Sequence, residues 1–240
     1  MSIHTTSSHE LTAESNEARD LLRRWHEDDE PAGASSINYG AVDATIDRLV
    51  FGADALTYEL SVSADRRAQI QGQHPGQLLY LGGETCNWTP YNAIRAITHH
   101  LEPTDQDVVY DLGAGYGTLP IYIGATTNAA AKGVELVHHR VKAARSAIGR
   151  LGLTGVEMIE GDVLDHDISD GSVFYMFAPF PFAIRDMVLC RIRDVARERR
   201  VRVVMRRMSG DWLERSWLGE IHQTELEGAA EGVVIADTGL

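Results

Sequence analysis

The chain has 240 residues, 44% hydrophobic and 24% charged, the composition of a globular domain with a sizeable core. Its net charge of −13 argues against a general nucleic-acid binder, because a phosphate backbone needs a basic footprint. Two cysteines, Cys86 and Cys190, have neither metal-ligand nor disulfide-framework spacing and read as core or incidental thiols.

The opening MSIHTTSSHE has no basic or apolar leader region, and no apolar run reaches spanning length, so a cytoplasmic protein without a membrane segment is expected. From Leu11 to Asp29, the residues Leu11, Ala18, Leu21, Leu22 and Trp25 fall on one helical face. A turn-rich loop follows, 30-EPAGASSINYG-40. Ile46, Leu49, Val50, Phe51, Leu56 and Leu60 predict two short helices that break near Gly52. Residues 1–85 are therefore expected to form a helical region packed as a lid over the domain that follows, 86–240.

Thr89 followed by Pro90 reads as an N-cap and helix start, with Ile94 and Ile97 facing inward. Beyond it, β-rich runs at 107–112, 132–137, 156–161, 172–178 and 201–207 enclose helical patterns at 118–127, 138–151 and 183–198. That alternation predicts an α/β fold with a doubly wound, mostly parallel sheet and right-handed crossovers. Two last runs, 218–226 and 232–238, leave no room for a helix between them and predict a C-terminal antiparallel hairpin.

The chemistry concentrates in 108-VVYDLGAGYGTLP-120, where a strand ends in Asp111 and three glycines follow at Gly113, Gly115 and Gly117. A dinucleotide turn is spaced G-x-G-x-x-G/A, so that pyrophosphate can approach the helix N-terminus. Here the second interval is shorter, and Asp111 sets negative charge at the mouth of the turn. Both features disfavour a phosphate and favour a ligand that is cationic in part, held by a carboxylate and approached closely by glycine backbone. Glu135 closes the second run, a position that accepts ribose hydroxyls in dinucleotide folds as well. Asp162 follows the third run.

The D-x-G-x-G-x-G turn resembles motif I of the class I, seven-strand, Rossmann-like S-adenosylmethionine-dependent methyltransferases, over residues from roughly 85 to 240. The resemblance implies a seven-stranded sheet and S-adenosyl-L-methionine as cofactor. It implies cofactor contacts from Asp111, Gly113, Ala114, Gly115 and Gly117, from Glu135 and Leu136 on the ribose, and from Asp162 and Val163 about the adenine. The segment 83–97 resembles the loop that covers the methionine end of the cofactor in seven-strand protein-lysine methyltransferases, which brings in Thr89.

The acceptor is expected beside the fourth strand end, 174-FYMFAPFPF-182. Amino-methylating relatives often carry [DNS]-P-P-[YFW] there, and the lysine group an asparagine-rich end; Phe177-Ala178-Pro179-Phe180 departs from both. Adenine methylation is disfavoured, and an N or O nucleophile of a small molecule or of a protein side chain, lysine among them, remains. Phe177, Phe180, Phe182, Tyr91 and Trp88 could surround an ammonium or sulfonium; Phe177 is expected among the cofactor contacts, and Tyr91 and Phe180 are the candidates for positioning the acceptor. The plainer reading of these rings is ordinary core. Rival readings are a nicotinamide-dependent oxidoreductase and a non-catalytic S-adenosylmethionine-binding protein.

His99-His100 and His138-His139 lack the accompanying ligands of a metal site. The arginines from Arg185 to Arg207 read as a solvated face; the sharper alternative is a patch for an acidic partner or for a second copy in a homodimer.

Overall fold

A computed structural model describes residues 8–27, 46, 48–51, 89–177, 182–206, 216–220, 222–226 and 232–239. In chain order the elements are α1 (Ser8–Glu27), α2 (Tyr91–Leu101), β1 (Val108–Leu112), α3 (Thr118–Thr126), β2 (Ala130–Glu135), α4 (His138–Leu151) and β3 (Val156–Glu160). There follow β4 (Val173–Met176), α5 (Phe182–Ala196), β5 (Arg202–Arg206), a 3₁₀ turn (Trp217–Glu220), β6 (His222–Leu226) and β7 (Val233–Asp237).

The seven strands form one sheet in the order β3-β2-β1-β4-β5-β7-β6. The first five pair in parallel, and β7 runs antiparallel to both β5 and β6. The hairpin expected at the C-terminus is therefore present, with its second strand inserted against β5. This order departs from the 3-2-1-4-5-6 sheet of dinucleotide-binding folds.

Side chains alternate across a strand, and both faces of this sheet are covered. Val109, Ala131, Met158, Val173, Tyr175 and Val204 enter a core with α2, α3 and α4. Tyr110, Leu112, Phe174, Met176 and Val203 enter a second core with Val188, Leu189 and Ile192 of α5. The near-continuous apolar strands of the sequence follow from burial on two sides. α4 ends at Gly152, left-handed at φ 62°, where its amide closes back on the helix.

α1 belongs to the helical layer on one face of the sheet. It packs along α3 and α4, with Ala18 and Leu22 fully buried and Leu21 and Trp25 partly so. Arg23 Nε donates to the Ala125 carbonyl, and His26 meets the Tyr122 hydroxyl at 3.1 Å. Tyr122 lies at the middle of α3 and Ala125 near its end, so this end of α1 meets the part of α3 that leads away from the glycine turn. Its inward face is core because a helix with that much apolar surface gains more by burial than by hovering over an open site. Of the two short helices expected next, Ile46 and residues 48–51 are helical. Leu56, Leu60 and the rest of the proposed lid lie outside the described residues.

The histidine pairs divide between packing and pairing. His99 reaches the His26 carbonyl and stacks on its ring, whereas His138 bonds to Glu160. Burial, then His99 and Arg95, push the His26 imidazole down to about 4. Arginine is not only a solvated face: Arg185 is buried, Arg191 turns inward, and Arg202 bridges to Asp107. Cys190 is an exposed free thiol, so of the two readings offered for it the incidental one holds; Cys86 lies outside the described residues.

Candidate functional site

The strand order reverses between β1 and β4, and ligands of open α/β sheets bind in the crevice at the carboxyl ends beside such a switch point. Asp111 and Tyr175 lie opposite each other there, in register across the β1–β4 pairing. The chain leaves β1 through Gly113, Gly115 and Gly117, with φ of 86°, 56° and 72°. A side chain at these angles would be strained, so glycine spacing is what lets the turn double back above the strand. Gly117 then serves as the N-cap residue of α3.

Beneath the turn, Met158 fills the space that glycine leaves. A Cβ on Gly117 would stand 2.8 Å from its sulfur, and a Cβ on Gly133 would collide with the same sulfur and come within 2.8 Å of the Ala114 Cβ. The Gly113 and Ala114 amides donate to the Val134 carbonyl at 2.9 and 3.0 Å, which pins the turn to the end of β2.

Glu135 is buried at that end. One carboxylate oxygen accepts the Gly115 amide at 2.8 Å and the other the Val137 amide at 2.9 Å, while Arg140 stands 3.9 Å away. It thereby ties the glycine turn to the start of α4 and still has acceptor capacity, since an ionised carboxylate has about four lone-pair sites. Leu136 follows it, half-buried. Asp162 caps its own loop by accepting the Leu164 amide at 2.9 Å, and Val163 is buried. That loop is held from below by Arg191 of α5, which donates to the Val163 and Leu164 carbonyls at 2.6 and 2.7 Å and to the His166 carbonyl.

Asp111 is buried near the end of β1. Burial, and secondarily the charge of Glu135, push its carboxyl up to about 8. A carboxyl so raised is short of positive charge, and a cation beside it would draw off the proton and restore the usual ionised state. This is an observation about the donor set itself: the residues at the switch point fit a ligand with an ammonium, and they do not fit a pyrophosphate.

Tyr175 was not singled out in the sequence, where it is one residue in an apolar run. Its hydroxyl bonds to Thr89 and Arg206, and burial, then Asp111, push its pKa above the ordinary phenol value. The Thr89 hydroxyl is thus spent on β4 and makes no cap; the N-cap of α2 is Pro90, with no side-chain hydrogen bond. Ile94 and Ile97 face inward as expected. Arg206 also lies over the Phe177 ring, 4.9 Å from its centre. Spatial partners are invisible in one sequence, which is why Tyr175 and Arg140 were not singled out and Arg191 and Arg206 read as part of a solvated face.

Tyr91 was expected beside the acceptor. Its side chain is 1% exposed, on the same inward face of α2 as Ile94, with its ring 6.3 Å from that of Tyr122. One helical turn sets i and i+3 on one side, and here that side is core. Phe180 and Trp88 lie outside the described residues, as does the side chain of Phe182.

No protein-family model matches the chain. A protein-lysine N-methyltransferase of Saccharolobus islandicus is 33% identical to it over 91 residues, which is 37% of this chain and 56% of that protein. The chain thus spans little more than half the length of the curated relative it matches. Among solved structures, an RNA methyltransferase of Salinibacter ruber in complex with S-adenosyl-L-homocysteine aligns with TM-score 0.45 and 23% identity, over 63% of this chain and 92% of that one. An S-adenosylmethionine-dependent methyltransferase assigned in Methanococcus maripaludis aligns with TM-score 0.49 and 11% identity, over 72% and 91%. In its seven-stranded sheet, its terminal antiparallel pair and its 91-residue match, the chain is similar to the class I, Rossmann-like methyltransferases.

Proposed function

We propose that the protein is an S-adenosylmethionine-dependent methyltransferase that acts on an N or O nucleophile of a small molecule or of a protein side chain, with lysine first among the candidates. The observation that carries this reading is Asp111: a buried carboxyl with a raised pKa, at the switch point, beside a glycine turn. Glu135 and Asp162 follow the next two strands, where a ribose and an adenine would meet them. The relative from Saccharolobus, by its name a protein-lysine methyltransferase, supports lysine as the first acceptor to test.

S-adenosylmethionine, when bound, supplies a methyl group on a sulfonium that is already a good leaving group. The chain would then contribute alignment and exclusion of water. Asp111 would hold the ammonium, Glu135 the ribose hydroxyls, and the Asp162–Val163 loop the adenine, with Gly113, Ala114, Gly115 and Gly117 giving the backbone close approach. Leu136 would flank the ribose. Phe177 lies just past β4, next to where an acceptor would enter.

Calorimetric titration with S-adenosylhomocysteine tests the reading: micromolar or tighter binding is expected, and folded protein that shows none would overturn it. A panel of amines, phenols and lysine peptides then separates an enzyme from a protein that keeps the cofactor without turnover. A nicotinamide-dependent oxidoreductase is disfavoured by Asp111 and by β7 lying between β5 and β6. Thermal protection by NAD(P) and not by S-adenosylhomocysteine would reverse that preference.

A further inference from the structure

We infer that Arg206, together with the Thr89–Tyr175 hydroxyl pair, holds the carboxylate of the cofactor's amino-acid end while Asp111 holds its ammonium. The inference rests on the methyltransferase reading above and deepens it by assigning the zwitterionic end of the ligand to named groups on three strands.

The strands bring the groups together on one face. Val109, Val173, Tyr175 and Val204 all enter the core beneath α2 and α3. Alternation along a strand therefore puts Asp111, two residues beyond Val109, and Arg206, two residues beyond Val204, on that same face. Asp111 pairs with Tyr175, and Tyr175 pairs with Val204. Tyr175 is thus the middle of three: its hydroxyl bonds to Arg206 and lies within reach of the charge of Asp111 on its other side. Thr89, just before α2, closes the group by bonding to the same hydroxyl.

The spacing fits an α-amino acid. Two strand intervals and a two-residue offset along β5 separate Asp111 from Arg206, roughly 12 Å between backbones, a gap that an aspartate and a long arginine side chain narrow from either side. An ammonium and a carboxylate on one carbon lie about 3 Å apart, and a hydrogen bond of about 2.8 Å on each side extends the span to about 8–9 Å.

The charges also fit. Asp111 alone would accept any amine, but a ligand that is only cationic would be repelled by a guanidinium 4.9 Å above the Phe177 ring at the same end of the sheet. A ligand that is only anionic would meet Asp111 and Glu135. A zwitterion satisfies both ends, and its ammonium removes the reason for the Asp111 carboxyl to keep its proton. Arginine suits the carboxylate end because its planar fork offers paired donors.

The test compares three probes by calorimetry on the full chain: S-adenosylhomocysteine, its decarboxylated amine analogue, and 5′-methylthioadenosine, which lacks the amino-acid end. Wild-type protein should prefer S-adenosylhomocysteine over the decarboxylated analogue by at least about tenfold. Arg206→Met should weaken S-adenosylhomocysteine by about tenfold or more, leave the decarboxylated analogue within about twofold, and be partly rescued by Arg206→Lys. Equal losses for both probes would overturn the inference. If Arg206→Met does not fold, the wild-type preference decides alone, and its absence overturns the inference while leaving the methyltransferase reading intact. Folded wild-type protein that binds none of the three would sink that reading and the inference with it.

Discussion

The strand that leads into the glycine turn is bracketed by two aspartates with opposite surroundings. Asp107, just before β1, is fully engaged: its oxygens accept from Ser172 at 2.7 Å, Arg202 at 2.9 Å and the Thr104 amide at 2.9 Å. Burial opposes its charge, but those donors prevail and hold its carboxyl below the usual carboxylate range. Asp111, near the other end, is buried more deeply and is pushed up to about 8. The same contrast extends along the two edges of the sheet. At the edge where the parallel strands begin, Lys132 pairs with Asp170 at 2.5 Å beside the Tyr110 hydroxyl, and Arg200 pairs with Asp237. At the carboxyl edge, two carboxyls are buried within electrostatic reach of each other. One edge satisfies its charges internally; the other leaves one waiting for a ligand.

The largest effect should come from the helix that docks toward the satisfied edge. Leu22 is fully buried in α1, so Leu22→Ala should cost about 2–4 kcal/mol of stability. Denaturant unfolding measures this, and affinity for S-adenosylhomocysteine in the folded fraction should stay within about twofold. A large affinity loss without destabilisation would make α1 part of the binding edge after all, as the lid expectation had it.

Glu135→Ala should weaken S-adenosylhomocysteine by about 2–3 kcal/mol. It removes ribose acceptors and also the tie between the Gly115 and Val137 amides. Titration calorimetry at constant pH checks it; an unchanged affinity would mean that the ribose lies elsewhere.

The two aspartates should then respond with opposite signs. Native Asp111 keeps its proton from the ordinary carboxylate range up to about 8, whereas the unfolded chain has released it, so its contribution to stability falls as pH rises through that window. Asp111→Asn should abolish that slope and gain about 1–3 kcal/mol at pH 8, while sharply weakening the cofactor. Asp107 runs the other way: its contribution is present above the ordinary carboxylate pKa and is lost as pH falls through its depressed value. Asp107→Asn should therefore cost about 1–2 kcal/mol at neutral pH and little in strong acid, without touching the ligand. Chemical melts of both variants across pH would show the crossing signs, and parallel curves would erase the distinction between the edges.

The sheet was legible because strand–helix alternation is a rhythm of the chain itself. All five parallel strands and the hairpin lie within a few residues of where the pattern put them, and Asp111, Glu135 and Asp162 follow the strands as read. Spatial partnerships were not legible. Thr89 before Pro90 has the local signature of a helix cap, yet its hydroxyl is captured by a tyrosine 86 residues away. Tyr91 looked like a site aromatic because its segment resembles a cofactor loop, but helical phase turns it into the core. The turn inward of Arg191 and Arg202 could not be told from the solvated arginines around them, since what separates them is whether a carbonyl or a carboxylate waits on the other side.

The sulfur of Met158 occupies room given up by two glycines, one in the turn after β1 and one within β2. Those three positions share one volume, although they are scattered over some forty residues of chain. A side chain at 133 would need residue 158 shortened and Ala114 displaced, whereas 117 is held to glycine by its φ of 72° even with that sulfur removed. Shortening Met158 should therefore open room beneath the turn without freeing either glycine on its own.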